Sequence, residues 1–292
     1  MNPVERKYKV KFLLLGFNME LNYLELEDNL IIRKGDDGEL QEMYERIKQN
    51  NAQSQRFFVE YEYKSKDTST FSKEGYALMD DLNTFFQIFY NGIVKAAHFS
   101  RYGWIDNKYQ SIGFSTNTRV STYFPEGYIF ENKEVKSIKE KWCSYRVQTK
   151  NKALKIATNR FLLSTQKYDN EDQLIDLMIA FEAIFLDVSE KGELSYKLAL
   201  RSSYLLKNDF RSLDVFDFMK KAYNLRSSIV HGANFKGNEI KFKEKKLDSK
   251  SVVSTLTDLF RVSVQIILIE REETEIQHLI KAIDSEIVEG FK

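Results

Sequence analysis

The sequence predicts an α+β protein in which a mixed, strand-rich N-terminal domain precedes an all-α, up-and-down helical bundle. Residues 8–33 and 94–125 alternate apolar and polar side chains with the period of two that strands require. From about residue 150, apolar residues recur every three or four positions, which is the spacing of amphipathic helices. A charged helical stretch at 131–150 separates the two patterns. We therefore expect two domains, residues 1–140 and residues 141–292.

Turn signals and periodicity divide the N-terminal domain into elements. The expected order is strands with a hairpin over 8–33, a helix at 38–50, a strand at 57–63, a helix at 74–92 and strands over 94–125. The hairpin turns at Glu27-Asp-Asn. In the strand at 57–63, the glutamates alternate with aromatic residues and are expected to face solvent. Later turns are expected at Gly103, Asn107 and Asn117.

Aromatic residues are frequent in this domain, and they include Trp104, Tyr109, Phe114, Tyr123 and Phe124. Aromatic side chains on strands form base-stacking platforms in some nucleic-acid-binding proteins. Strands also carry aromatics simply because these residues pack well on a pleated surface. The core of a small mixed domain is the favoured interpretation, and a stacking platform is the alternative.

The C-terminal domain shows helical periodicity throughout. Helices are expected at 152–166, 174–186, 194–207, 213–231, 251–271 and 274–288. The second is apolar on nearly every side, as a helix at the centre of a bundle would be. The fourth has a seam of Val215, Phe218, Ala222, Leu225 and Ile229 at alternating spacings of three and four. Short connections between these helices predict the up-and-down bundle.

Composition narrows the possible functions. Forty-four basic and 43 acidic residues leave a net charge of +1, so any affinity for nucleic acid must come from a local patch. A single cysteine, Cys143, excludes an intramolecular disulfide and a metal cluster built from cysteines. The N-terminus lacks the apolar core of a signal peptide, and the apolar runs are too short and too charged to span a bilayer. A cytoplasmic protein without a membrane segment is therefore expected.

The most informative stretch is Tyr223-Asn-Leu-Arg-Ser-Ser-Ile-Val-His-Gly232, which ends the fourth predicted helix. Gly232 is expected to be the left-handed residue after the helix, so His231 lies in the last turn, where the helix dipole favours a cation. Ser227 lies one turn before His231, whereas Arg226 lies about 140° around the helix from it. Two chains facing each other across a two-fold axis would bring an arginine and a histidine together. A composite site between two helices is therefore more natural than a site within one chain.

An arginine and a histidine separated by four residues and followed by glycine, late in an all-α bundle, resemble the motif of the HEPN superfamily. The whole phrase at 223–232 resembles the Apea-like HEPN group in particular. The upstream segments Ile179-Ala-Phe-Glu-Ala-Ile-Phe-Leu186 and 193–206 resemble that group as well. The resemblance covers roughly residues 150–290. Many HEPN proteins carry Asn, Asp or His where this chain has Ser227.

The resemblance implies a metal-independent endoribonuclease that needs no cofactor and dimerises to bring two R-x4-H motifs together. RNA carries its own nucleophile in the 2′-hydroxyl. Histidine can move protons near neutral pH, and arginine donates to phosphate oxygens. Transesterification by these groups leaves 2′,3′-cyclic phosphate and 5′-hydroxyl ends. The implied catalytic residues are Arg226 and His231, and Ser227, Glu182 and Tyr223 are expected to support them.

Glu182 interrupts an otherwise apolar helix, so it is expected inside the bundle with a partner for its charge. A structural ion pair with Arg201 is the favoured interpretation. The alternative is that Glu182 holds Arg226 or His231.

Basic residues cluster close to the motif in the sequence. Between residues 220 and 250, nine basic and three acidic residues leave a local charge of +6. A solvated basic loop and a phosphate-binding surface both fit this pattern. The residues expected to contact RNA are Lys220, Lys221, Lys236, Lys241, Lys243, Lys245 and Lys246.

Two functional hypotheses follow. The first is a toxin-like ribonuclease effector in phage defence or stress response, whose N-terminal domain senses a trigger or regulates the nuclease. The second is a non-catalytic HEPN module that dimerises or binds nucleic acid or a protein. In that case Arg226 would be a surface or ion-pairing residue and His231 a helix-capping one. Ser227 and the near-neutral overall charge keep the second hypothesis open.

Overall fold

The chain divides into two compact units, Met1–Cys143 and Ser144–Lys292. The computed structural model describes residues 5–47, 56–66, 71–92, 94–115, 128–148, 151–232, 235, 240–271 and 275–290. The first unit is rich in strands and the second is helical, so the predicted α+β class is confirmed. The division falls within the charged helical stretch, shortly after residue 140.

The N-terminal unit is built on an antiparallel sheet. Its elements are β1 (Arg6–Leu15), β2 (Phe17–Met19), β3 (Tyr23–Glu27), β4 (Leu30–Lys34), α1 (Asp37–Ile47), β5 (Phe57–Ser65), α2 (Phe71–Phe89), β6 (Lys95–Ile105), β7 (Lys108–Ser115), β8 (Tyr128–Phe130) and α3 (Asn132–Gln148), which contains the division. Six strands pair in the order β3-β4-β5-β1-β6-β7, and β2 pairs with β8 in parallel. The predicted strands and helices of this unit are confirmed where its residues are described, including the hairpin between β3 and β4, and the predicted strand region at 116–125 lies outside the described residues.

The turn expected at Gly103 is wrong. Gly103 lies inside β6, where it pairs with Tyr8 on one side and Gln110 on the other. The β6–β7 turn is at Asn107, as predicted, with a φ of 59°. Asn117 lies outside the described residues. Because a two-residue turn joins β6 directly to β7, the chain does not need a further turn at Gly103.

Helix α1 covers part of one face of the sheet. Its Leu40 and Met43 pack on Leu13, Leu15 and Phe58. On α2, Asn83 exchanges two hydrogen bonds with the backbone of Ala96 in β6, at 2.8 and 3.1 Å. Helix α2 is therefore fixed to β6. Helix α1 packs on β1 and β5 and covers only part of its face of the sheet.

The prediction that the β5 glutamates face solvent is wrong for Glu60, which is 6% exposed. Arg33 donates to Glu60 at 2.7 Å and to Glu39 at 2.6 and 2.8 Å, and Lys11 contacts both carboxylates. Burial alone would raise the pKa of Glu60, but Arg33, Lys11 and Lys9 together hold it below its usual value. A carboxylate can therefore lie beneath α1 because cations from neighbouring strands compensate its charge.

The aromatic residues of this unit divide between core and surface. Phe114 is partly buried and packs against the core cluster under α1, in agreement with the favoured interpretation. Trp104 is 42% exposed, so a core position for Trp104 is wrong. Tyr123 and Phe124 lie outside the described residues.

The C-terminal unit is helical apart from one short hairpin in its described part. Its elements are α4 (Lys152–Thr165), α5 (Asn170–Phe185), α6 (Leu194–Leu205), α7 (Ser212–Val230), β9 (Lys241–Phe242), β10 (Lys245–Lys246), α8 (Ser249–Glu270) and α9 (Ile276–Glu289). The predicted helices are confirmed, and Asp169 caps α5 by accepting from the backbone of Glu171 at 2.8 Å. Helix α5 contacts α4, α6, α7, α8 and α9, which confirms its central position.

Among the described residues, α8 is the one helix whose length and composition would allow it to cross a membrane, although Asp258 and Arg261 interrupt it. Ser249–Glu270 is 22 residues long and reaches a mean hydropathy of 1.7 over 18 residues. Half of that window is buried inside the structure. Leu256, Leu259 and Phe260 are buried there, as side chains of a core helix are.

Candidate functional site

The end of α7 sets the position of His231. The helix stops at Val230, and His231 is the capping residue, with φ −92° and ψ 14°. Its backbone N–H donates to the carbonyls of Ser227 and Ser228 at 3.3 and 3.1 Å. Gly232 follows with a φ of 91°, so the predicted left-handed glycine is confirmed. The side chain of His231 is exposed and lies one position beyond the helix rather than in its last turn.

We predict that Gly232→Ala destabilises the C-terminal unit by about 1 kcal/mol, because an L side chain disfavours this backbone conformation. Space is not the reason, since nothing lies within 4 Å of a Cβ built at Gly232. Urea unfolding of the variant measures the change. Gly290→Ala is the matched control, because Gly290 ends α9 with a φ of −66° and accepts a side chain without this strain. Equal losses in both variants would contradict the backbone explanation.

Arg226 and Glu182 form the centre of the candidate site. Arg226 Nη2 lies 3.9 Å from Glu182 Oε2, and the two side chains are 27% and 25% exposed. Arg226 Nε and Glu182 Oε1 are both buried, and neither has a hydrogen-bond partner among the described residues. Buried polar atoms of native proteins are usually paired. Polar groups with unused bonding capacity at one place are therefore suited to receive a ligand.

The predicted ion pair between Glu182 and Arg201 is wrong. Arg201 lies across two other carboxylates: it donates to Glu190 at 2.8 and 2.9 Å and to Asp284 at 2.7 and 2.8 Å. It also donates to the carbonyl of Phe185 at 2.8 Å. These bonds leave Arg201 no donor for Glu182. Glu182 instead lies 3.9 Å from Arg226, the partner that the alternative named, and its role in holding that arginine stays a prediction.

Tyr223 completes the cluster one helical turn before Arg226. Burial raises the pKa of the Tyr223 hydroxyl, the charge of Glu182 raises it further, and Arg226 partly opposes both. Burial also raises the pKa of Glu182, and Arg226 again acts in the opposite direction. The three side chains therefore share one electrostatic environment. Perturbed groups of this kind occur often at functional sites.

We expect Glu182→Gln to stabilise the protein at neutral pH. A carboxyl whose pKa is raised above 4.5 binds its proton more tightly in the folded state, so the stability falls as pH rises through that pKa. The amide removes this penalty while it keeps the shape. Thermal melts should show a higher Tm for the variant above the folded pKa and convergence with the wild type in acid.

The exposed Glu275, replaced by Gln, provides the control for a general charge effect. A clear loss of stability in Glu182→Gln at neutral pH would mean that attraction to Arg226 outweighs the cost of burial.

The structure brings together Glu182, Tyr223 and Arg226, and no described side-chain contact joins His231 to them. His231 is exposed at the helix cap, whereas Arg226 is half-buried against α5. Ser227 follows Arg226 in the sequence and is half-buried. Its role as a supporting residue stays a prediction.

Residues 241–246 of the basic connection form a short hairpin. Its two central residues, Lys243 and Glu244, have φ values of 49° and 65°, which is the pattern of a tight hairpin turn. Phe242 anchors it, with its ring 5.2 Å from Phe218 and 6.2 Å from Phe210. Phe218 and His231 are thirteen positions apart, or about 20 Å along a helix axis. The hairpin is therefore anchored well before the end of α7.

The lysines predicted to bind RNA are exposed wherever the structure describes them. These residues are Lys220, Lys221, Lys241, Lys243, Lys245 and Lys246. Lys236 lies outside the described residues. Lys243 has its Nζ 5.4 Å from the centre of the Phe210 ring, one of the two rings against which Phe242 packs.

Sequence reasoning missed the hairpin and the Arg201 cluster. Ile240 and Phe242 alternate with lysines, and this period of two was the available signal for the hairpin. The carboxylates of Glu190 and Asp284 are far apart in the sequence, so spacing offered no signal that they share Arg201.

The chain matches no protein-family model, no curated protein and no solved structure. Within the described ranges, no three His, Cys, Asp or Glu side chains are grouped as a metal site requires. The functional conclusion therefore depends on the chain's own residues and their geometry.

Proposed function

We propose that the C-terminal unit is a metal-independent endoribonuclease of the HEPN type, with Arg226 and His231 as its catalytic residues. One observation carries the proposal. Arg226 lies beside Glu182, and its buried Nε has no hydrogen-bond partner among the described residues. Five positions later, His231 is exposed at a helix end that is followed by glycine. The resemblance of segments 179–186, 193–206 and 223–232 to Apea-like HEPN proteins supports it.

The proposed reaction is transesterification within the RNA backbone. The 2′-hydroxyl gives its proton to a base and attacks the adjacent phosphorus, while the bond to the 5′-oxygen breaks and that oxygen takes up a proton. His231 is suited to the proton transfers because imidazole titrates near neutral pH. Arg226 is suited to stabilise the extra charge on the phosphorane because its guanidinium stays charged and donates to phosphate oxygens. The products carry 2′,3′-cyclic phosphate and 5′-hydroxyl ends.

A second copy of the chain completes the proposed site. Arg226 is half-buried against α5, whereas His231 is exposed, and no described contact joins the two side chains. A homodimer with its two-fold axis near the end of α7 would place the exposed imidazole of one copy beside the guanidinium of the other. Ser227 lies on α7 between them and would bind the phosphate or orient the ring.

The proposed cellular role is a toxin-like effector in phage defence or stress response, with the N-terminal unit as sensor or regulator. Expression of the wild type beside His231→Ala tests this role. We expect growth arrest and fragmented total RNA with the wild type and neither with the variant. Equal growth and intact RNA in both strains, at equal protein levels, would contradict it.

Glu182 gives the non-catalytic alternative a specific basis. Its carboxylate lies 3.9 Å from Arg226 and offers that arginine a structural counter-charge. In this alternative, the C-terminal unit dimerises or binds a nucleic acid or protein without chemistry. Purified protein that dimerises and binds RNA, yet leaves every RNA intact, would favour it over the ribonuclease.

A further inference from the structure

A row of lysines on β1 lies over aromatic rings on one face of the N-terminal sheet. Lys7 Nζ lies 5.6 Å from the centre of the Trp104 ring, and Lys9 Nζ lies 4.5 Å from that of Tyr109. Lys9 pairs directly with Tyr102 across β1 and β6, and Trp104 pairs with Tyr109 across β6 and β7. Directly paired residues of an antiparallel sheet share a face. We call Lys7, Lys9, Tyr102, Trp104 and Tyr109 the lysine–aromatic face.

Helix α1 does not cover the Trp104 end of this face. The core cluster under α1 contains Leu13 and Leu15, which lie further along β1, whereas Trp104 is 42% exposed. The rings of Trp104 and Tyr109 meet edge to face, with centroids 4.9 Å apart and planes at 80°. One ring therefore supports the other while part of the indole stays open to solvent.

The charge at the exposed Trp104 end of the lysine–aromatic face is mainly positive. Lys64 pairs with Lys7 across β5 and β1, and Glu62 pairs with Lys9. Glu62 lies 3.0 Å and the buried Glu60 3.7 Å from Lys9 Nζ, so Lys9 is compensated, whereas Lys7 and Lys64 are exposed and carry the remaining positive charge. Burial and the charge and hydrogen bond of Glu62 raise the pKa of Tyr109 to about 12, so its hydroxyl stays protonated and tethered. Glu62 therefore fixes the Tyr109 ring and cancels only part of the positive charge.

We propose that the lysine–aromatic face binds single-stranded nucleic acid, with a base stacking on Trp104, which Tyr109 supports, and phosphates held by Lys7 and Lys64. Exposed rings combined with cations are how single-strand-binding proteins hold bases and backbone without reading sequence. A protein partner fits less well, because lysine is depleted at the centre of protein interfaces. This proposal concerns the N-terminal unit and does not depend on the proposed ribonuclease activity.

The two tryptophans of the chain provide a direct readout. Trp104 is exposed, whereas Trp142 is fully buried and gives a constant background. The full-length wild type is titrated with an oligothymidylate of about ten nucleotides, a length within the site sizes of single-strand-binding folds. Because DNA lacks the 2′-hydroxyl, ribonuclease activity cannot affect the result. We expect saturable quenching of the Trp104 fluorescence.

Variants assign the binding to this face. By anisotropy of a labelled strand, Trp104→Ala should weaken binding about fivefold to a hundredfold, whereas Trp104→Phe should bind nearly as well without quenching. Lys7→Ala, at an exposed position, should weaken binding and reduce its salt dependence. Blunt duplex DNA of the same length should not quench.

Unchanged fluorescence, together with equal affinity of Trp104→Ala and the wild type, would overturn the proposal and assign any binding to another surface. Equal quenching by duplex and single strand would overturn the stacking itself. Loss of RNA cleavage in His231→Ala would leave this result unaffected, so the two proposals fail separately.

Discussion

His231→Ala is expected to lower the rate of RNA cleavage by about a hundredfold to ten thousandfold, the usual contribution of a general acid or base. The structure leaves this imidazole exposed at the end of α7, where a substrate can reach it, and the cap is formed by backbone groups. The variant should therefore fold and associate like the wild type. Initial rates on a labelled RNA, with sedimentation to confirm the oligomeric state, give the measurement.

His278→Ala is the matched control, because His278 is also exposed and lies on α9 of the same unit. It should cleave at the wild-type rate. Similar losses in both histidine variants would show that His231 has no special role. Arg226→Lys separates charge from geometry, since lysine keeps the cation but cannot donate in a planar fork to phosphate. We expect most of the activity to be lost in that variant.

A mixing experiment tests the two-chain site. Arg226→Ala and His231→Ala chains are each expected to be inactive as homodimers. A mixed dimer carries one intact arginine and one intact histidine on different chains, so mixing should restore part of the activity. If both variants are inactive and exchange subunits without any recovery, the composite site is wrong.

Arg201→Met is expected to destabilise the C-terminal unit by about 3 kcal/mol, near the low end for breaking a buried ion pair. The change removes the guanidinium donor of Glu190, Asp284 and the carbonyl of Phe185, and Lys197, at 3.2 Å, stays beside Glu190. Asp284 is 46% exposed, so water can solvate its carboxylate once Arg201 is replaced. The loss of stability is therefore expected near the low end for buried ion pairs. Arg201 also holds the pKa of Glu190 down, at about 2. The Tm should fall by roughly 6 to 12 °C.

Arg211→Ala is the control for this prediction. Arg211 is largely exposed and faces Asp214 at 3.6 Å, and such surface pairs contribute little. Its Tm should change by no more than a degree or two. A Tm for Arg201→Met equal to that of the control would mean that the three-residue cluster is not needed for stability.

Periodicity predicted the helices because apolar spacing reports directly which side of a segment is buried. The central α5 and the buried seam of α7 both follow from that rule. Gly232 was predictable for a local reason, since a helix end needs a residue that tolerates positive φ. The strands of the N-terminal unit were predictable from alternation in the same way.

Partners between helices were not predictable. Whether Glu182 faces Arg201 or Arg226 depends on how α6 and α7 lie around α5, and neither residue's spacing contains that information. Glu60 was placed on the solvent side because alternation alone does not show that α1 covers that face or that Arg33 provides a counter-charge. The exposure of Trp104 was missed for the same reason, since the extent of cover by α1 is a tertiary property.

Analysis of the RNA ends produced in EDTA tests the central claim most directly. Purified wild-type protein and His231→Ala are incubated side by side with total RNA, and the fragments are assayed for 2′,3′-cyclic phosphate and 5′-hydroxyl ends. We predict that the wild type generates both ends in the presence of the chelator and that the variant generates neither. Fragments with 5′-phosphate ends, cleavage that stops in EDTA, or equal cleavage by both proteins would contradict the assignment of Arg226 and His231.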